Sequence, residues 1–108
     1  MGRAGEAATA RWYEKSGYAV VARNWRCRQG ELDLVVRRGP LVVVCEVKTR
    51  RTTTHGAGVE ALDVRRQHRL RQLTARWLAT ERPTGVESVR IDVASVTRGR
   101  IEVDHGAC

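Results

Sequence analysis

Two strand-length apolar runs stand almost back to back in this chain. Glu31-Leu32-Asp33-Leu34-Val35-Val36 is followed, after only Arg37-Arg38-Gly39-Pro40, by Leu41-Val42-Val43-Val44-Cys45-Glu46-Val47-Lys48-Thr49. Side chains alternate between faces along a strand, so a run apolar at every position from Leu41 to Cys45 predicts a central strand covered on both sides. The expectation is a sheet with helices on it rather than one with a wet face. Gly39-Pro40 suits a two-residue type II′ turn, with glycine supplying the positive φ and proline the negative φ after it. With that turn, paired positions of the hairpin sum to 79.

Asp33, Glu46 and Lys48 are charges inside these runs. An ionised carboxylate loses several kcal/mol of hydration in an apolar setting and regains it only from a partner or a metal. At a sum of 79, Asp33 and Glu46 are direct cross-strand neighbours with Cβ atoms about 5 Å apart. Strict alternation puts Glu31 and Val35 on the face of Asp33, and Val42, Val44 and Lys48 on the face of Glu46. Two carboxylates so close repel, and one takes up a proton unless a cation lies between them. Mg2+ or Mn2+ resolves the conflict, with Asp33 and Glu46 as ligands beside waters, a phosphate oxygen and the Val47 carbonyl. Lys48 would then orient or deprotonate the attacking water, or neutralise charge building on a phosphorane-like transition state. The pattern points to a metal-dependent phosphodiesterase site. The competing reading is an exposed ion-pair ladder worth under about 1 kcal/mol. The valines sharing these faces argue against it, and so does composition. Of twenty basic residues only Lys15 and Lys48 are lysine, the type that can lose its proton where arginine effectively cannot.

At 108 residues and 42% hydrophobic, the chain predicts one domain, 1–108, with a single modest core. No apolar stretch is long enough to span a bilayer, and Met1-Gly2-Arg3-Ala4-Gly5-Glu6 lacks the apolar core of a signal peptide, so a cytoplasmic protein is expected. Cys27, Cys45 and Cys108 fit neither a disulfide framework nor a zinc site. A net charge of +8 and a pI near 10.7 favour a polyanionic partner, since phosphate contacts release counterions.

Ala4 to Ser16 reads as a helix stopped at Gly17, and Tyr18–Arg23, Glu31–Arg37 and Leu41–Thr49 as three strands. A loop over Arg50–Gly58 leads to a helix from about Ala61 to Thr80, whose Leu70, Leu73 and Trp77 form a core stripe and whose Arg65, Arg69, Gln72 and Arg76 form a polar one. Val89–Thr97 with Arg100–Val103 read as one or two further strands around a turn at Arg98-Gly99, the terminal one optional. The class is α/β, in the order α-β-β-β-α-β, with a mixed central sheet flanked by helices.

That order, with Gly5-Glu6, Gly17-Tyr18, Arg23-Asn24-Trp25-Arg26-Cys27-Arg28, Gly30-Glu31-Leu32-Asp33-Leu34, Glu46-Val47-Lys48-Thr49-Arg50 and the arginine-rich helix from Arg65, resembles the restriction-endonuclease-like core of the PD-(D/E)XK nucleases, which include archaeal Holliday junction resolvases. It is closer still to the YraN-like family of small bacterial nuclease-like proteins. The resemblance spans nearly the whole chain, although the tail Asp104-His105-Gly106-Ala107-Cys108 departs from that family. It implies Asp33 and Glu46 as metal ligands, Lys48 as the catalytic lysine and Glu6 as an additional helix carboxylate. The implied activity is metal-dependent endonucleolytic hydrolysis of DNA, branched or structured DNA included, and symmetric cutting of a junction would call for a homodimer. The alternative is a nucleic-acid-binding module that keeps the fold without turnover.

Glu6 also has a reading from spacing alone, at i, i+4 and i+7 with Ala10 and Tyr13 on the stripe facing the sheet, against which stands a first-turn glutamate complementing the helix dipole. Arg26, Arg28, Arg50, Arg51, Arg65 and Arg69 are the expected DNA contacts. Trp25 either stacks a base among them or belongs to the core. Asp92 reads as structural, pairing with Arg90, while Arg66, Gln67, His55 and His68 read as surface positions.

Overall fold

The computed structural model describes residues 2–50 and 64–107. The expected loop beyond Arg50, with Arg51 and His55, and the expected first residues of the second helix, 61–63, lie outside the described residues, as does Cys108. Helix α1 (Gly2–Lys15) is followed by strands β1 (Ala19–Cys27), β2 (Gly30–Arg38) and β3 (Leu41–Arg50), helix α2 (Val64–Glu81) and strands β4 (Ser88–Thr97) and β5 (Arg100–Asp104). The sheet runs β1-β2-β3-β4-β5. Among the described strands β3 and β4 pair in parallel, across the connection that holds α2, and the other neighbours are antiparallel. This mixed sheet with two helices is compatible with a restriction-endonuclease-like core.

The alanine-rich α1 ends where Gly17 takes φ 90. Gly17 N donates to Glu14 O and Tyr18 N to Tyr13 O, which satisfies carbonyls that a helix end otherwise leaves bare. Gly39 takes φ 60, and the hairpin pairs Leu34↔Cys45 through Arg38↔Leu41, each summing to 79 as the turn predicts.

Val42, Val43, Val44 and Cys45 are fully buried because the sheet is covered on both faces. On one side Val42, Val44, Leu32 and Val35 pack with Leu70, Leu73 and Trp77 of α2. On the other, Val43, Cys45, Leu34 and Val36 pack with Ala10 and Tyr13 of α1. Helix α1 lies so close to the end of β3 that a Cβ at Gly5 would meet the Thr49 hydroxyl, which would have to turn away to admit it. No described helix is long and apolar enough to cross a membrane.

Candidate functional site: a carboxylate cleft between sheet and second helix

Strand β3 keeps an unbroken register with β4 from Leu41↔Ser88 to Arg50↔Thr97, so its alternation holds throughout. Val42 and Val44 enter the α2-side core, Glu46 follows on that face at the rim, and Lys48 comes next, half-buried and opposite Ser95. The β2–β3 pairing reaches Leu34↔Cys45 and goes no further, one step short of the expected Asp33–Glu46 pair. Instead Asp33 Oδ2 accepts the Val47 N–H at 2.9 Å, so a side chain continues the link that the backbone ladder drops. Asp33 and Glu46 line one cleft of about 250 Å3 with Glu31, closed from α2 by Arg66 and Arg69.

The cause lies in β1. Asn24 takes φ 50, a left-handed conformation that asparagine tolerates better than most residues. The β1–β2 register reads Arg23↔Leu34 and then Trp25↔Leu32, leaving Asn24 and Asp33 without a ladder pair. The register itself shifts between Val20 and Ala22 and is continuous here, but across the unpaired Asn24–Asp33 position the facing of the side chains changes. Ala22 and Trp25, three apart, both pack on the α2 side, as do Leu32 and Val35, while Leu34 turns to the α1 side. Strict alternation through Asp33, expected from the sequence, is therefore corrected, because a local irregularity re-aims the side chains beside it. The Asn24 amide donates to Glu6 Oε1 at 2.9 Å and Glu31 Oε2 at 3.0 Å. One side chain thus ties a carboxylate of α1 to one of β2.

Burial is the largest influence on Asp33, raising its pKa from 3.8 to about 6; the Val47 N–H opposes it, and the charges of Glu6, Glu46 and Glu31 push the same way as burial. A half-buried carboxyl held among carboxylates is the electrostatic demand that a proton or a cation answers. Arg66 supplies part of the answer through an ion pair with Glu46. Among the described residues no three His, Cys, Asp or Glu side chains form a ready-made metal cage. Magnesium and manganese do not require one, since one or two carboxylates, waters and a substrate phosphate complete their shell. Asp33 and Glu46 are hard oxygen donors of that kind, so the residues fit such an ion.

The other expected residues divide. Glu6 joins the site through Asn24, and its neighbours on the helix, Ala10 and Tyr13, are fully buried. Arg69 lines the cleft. Arg26 is mostly exposed, with Nε 3.8 Å from Glu31; Arg28 and Arg65 are exposed, and Arg50 is half-buried at the end of β3. Trp25 packs against the α2-side core and donates Nε1 to Glu81 Oε2 at 3.3 Å, which is the core role. Val47 contributes its N–H to Asp33, and its side chain packs on the α1-side core. Arg66, read from sequence as a surface position, reaches into the cleft. Its spacing held the signal, because Arg66 precedes Leu70, Leu73 and Trp77 by 4, 7 and 11 residues and so continues the sheet-facing stripe. Asn24 carried no comparable signal, since nothing in the composition of β1 marks a left-handed residue in mid-strand.

The model of the uncharacterised protein family UPF0102 matches residues 5–96 of this chain, a span that runs from Gly5 beside Glu6 to Val96 in β4. A UPF0102 protein of Frankia alni is 49% identical over 108 residues, covering 97% of this chain and 89% of its own length. One from Kineococcus radiotolerans is 44% identical over 110 residues, covering 99% and 90%. One from Acidothermus cellulolyticus is 44% identical over 105 residues, covering 89% and 80%.

Proposed function

This chain belongs to the uncharacterised protein family UPF0102, and from the cleft it carries we propose that it is a Mg2+- or Mn2+-dependent nuclease hydrolysing phosphodiester bonds in DNA. The observation that carries the reading is the gathering of Asp33, Glu46 and Glu31 in one cleft facing Arg66 and Arg69. Carboxylates opposite guanidiniums suit a substrate that brings its own negative charge together with a cation. Asp33 and Glu46 would hold the metal, which when bound would supply Lewis-acid activation of water and phosphate. Val47 N–H fixes one Asp33 oxygen and so orients the other. Lys48, next after Glu46 on the same face of β3, takes the water's proton or offsets charge on the transition state. Arg66 exchanges Glu46 for a phosphate oxygen when DNA enters, and Arg69 makes a second contact from the same helix face. Glu6 acts through Asn24 on the arrangement of the carboxylates rather than on the phosphorus.

A second reading, a DNA-binding module without turnover, is favoured by the Arg66–Glu46 ion pair, because a guanidinium already neutralises one proposed ligand. Labelled linear, single-stranded and four-way-junction DNA, incubated with Mg2+ or Mn2+, separates the two. Cleavage that disappears in Asp33→Ala and Lys48→Ala supports the nuclease, and cleavage that survives both refutes the site. Binding with a steep salt dependence and no cleavage of any substrate leaves the binding module. Calorimetry gives a reading independent of turnover: parent protein binds the metal and Glu46→Ala does not.

A further inference from the structure

The α1 face of the sheet carries a second cavity, about 220 Å3, at the end of β3 away from Glu46, where α1 finishes and the β2–β3 hairpin turns. Rings and cations make its walls: Trp12, Tyr18, Arg38, Arg90 and His105, with Ser16. We propose that this cavity binds the phosphate monoester of a nucleotide.

Behind the wall lies Asp92, fully buried. It accepts from Arg90 Nε at 2.8 Å and Nη2 at 3.0 Å, from Tyr13 Oη at 2.6 Å and from Gly106 N at 3.0 Å, and it meets His105 Nδ1 at 2.8 Å. Burial opposes the charge on Asp92, but these bonds, that of Arg90 foremost, outweigh it and hold the carboxyl below its ordinary pKa. A buried carboxylate so fully engaged fixes the Arg90 guanidinium and the His105 ring in place, the preorganisation that a binding site requires. Among the described residues none of the Arg90 bonds uses Nη1, and the His105 contact with Asp92 is through Nδ1, with Nε2 on the other side of the ring.

Arg38 completes the wall. Its Cζ lies 4.4 Å from the Tyr18 ring centroid, while Arg90 Nη2 donates to the hydroxyl of that ring at 3.3 Å. Two guanidiniums therefore bracket one tyrosine. Asp92 balances Arg90, but Arg38 donates to the Ser16 carbonyl at 3.0 Å and stacks on a ring, and among the described residues neither contact supplies a carboxylate. Cations gathered around a cavity favour an anion there. With its fork held by Asp92, Arg90 offers Nη1, and Arg38, whose Nη1 meets the Ser16 carbonyl, offers the other edge of its guanidinium to phosphate oxygens. Trp12 and His105, with ring centroids 5.9 Å apart and planes 34° apart, offer aromatic surface to a sugar or base beside that phosphate. A free nucleotide and the phosphorylated end of a DNA strand share this chemistry.

The test uses the full chain in EDTA, so that no metal supports binding in the carboxylate cleft. Calorimetry compares 5′-deoxyadenosine monophosphate with deoxyadenosine, in the parent, Arg38→Gln and Asp33→Asn. Arg38 is exposed, so its substitution leaves the fold intact. The nucleotide is expected to bind at least about tenfold more tightly than the nucleoside, to weaken by about tenfold in Arg38→Gln, and to bind Asp33→Asn as it binds the parent. Equal affinity for nucleotide and nucleoside, an unchanged Arg38→Gln, or no nucleotide binding by the parent overturns the proposal. Loss in Asp33→Asn alone also overturns it, by moving the ligand to the cleft. Oligonucleotides with a 5′-phosphate and a 5′-hydroxyl then identify the source: preference for the phosphate assigns the cavity to strand ends, and equal binding with nucleotide binding retained assigns it to free nucleotides. None of these readouts depends on DNA cleavage.

Discussion

Replacing Asp33 with asparagine should stabilise this protein at neutral pH while removing its proposed metal ligand. Asparagine keeps the shape and an oxygen that accepts the Val47 N–H, but it has no charge to set among Glu6, Glu31 and Glu46. The folded-state pKa of Asp33 is raised from 3.8 to about 6, by burial first and then by those carboxylates against the opposing N–H. A raised acid favours the folded state when protonated, so its contribution is full below about pH 3.8 and is lost as pH rises through about 6. The difference in pKa corresponds to a ceiling of about 3 kcal/mol. Because the carboxyl is only half-buried, solvent screening reduces this to about 1–2 kcal/mol. For a domain of this size that is a rise in Tm of roughly 4–8 °C. Urea or thermal unfolding of parent and Asp33→Asn in EDTA, at pH values from 4 to 8, measures it. The variant's advantage should grow between pH 4 and 6.5 and then level off. Added Mg2+ should reduce that advantage by stabilising the parent alone. A difference that is flat across pH, or a variant less stable than the parent at pH 7.5, would refute the argument that this carboxylate is held at an electrostatic cost.

Asn24→Gly separates the two jobs of that residue, because glycine adopts the φ of 50 without strain but cannot bridge Glu6 and Glu31. Stability should remain within about 1 kcal/mol of the parent, while metal affinity measured by calorimetry falls about 10- to 100-fold, the usual effect of losing a residue that orients ligands; an unchanged affinity would make the bridge merely structural. Asp92→Asn should cost about 3–5 kcal/mol in urea unfolding, because Arg90 is left beside an amide that meets it with its own donors. Since the Asp92 pKa is lowered on folding, its contribution is present above about pH 3.8 and lost as pH falls through the folded-state value. The parent should therefore lose more stability than the variant on acidification from pH 5 to 2.

The parts of the fold legible in the sequence were those set by repeating local rules. Leu41–Cys45 is apolar at every position, and it is the fully covered strand. Gly39-Pro40 fixed the hairpin register, and the Leu70, Leu73, Trp77 spacing fixed the buried face of α2. Strand β1 was read as ending at Arg23 and runs to Cys27, because its second half continues beyond a residue that breaks the pleat. Asp33 and Glu46, which the structure places in one cleft, stand out in the sequence because charge in an apolar run is locally conspicuous. Asn24 and Arg66 do not, because their roles depend on which carboxylate lies across a gap between elements.

The cleft forms where three ordinary preferences are set aside together. A non-glycine residue takes a left-handed conformation in mid-strand, a carboxyl interrupts a core strand, and an arginine continues an apolar helix stripe. Each has a cost, of order 1 kcal/mol for the backbone at Asn24 and similar for the carboxyl at Asp33. The three lie together. Asn24 takes its left-handed conformation directly opposite Asp33, Asp33 shares one cleft with Glu31 and Glu46, and Arg66 pairs with Glu46 there from α2. Helix α1 sits close to Thr49 at Gly5, and the next residue, Glu6, accepts from the Asn24 amide. Smoothing β1 and neutralising Asp33 would stabilise the chain, so the three features meet at one point at the expense of stability, the pattern that folds show where they carry a site.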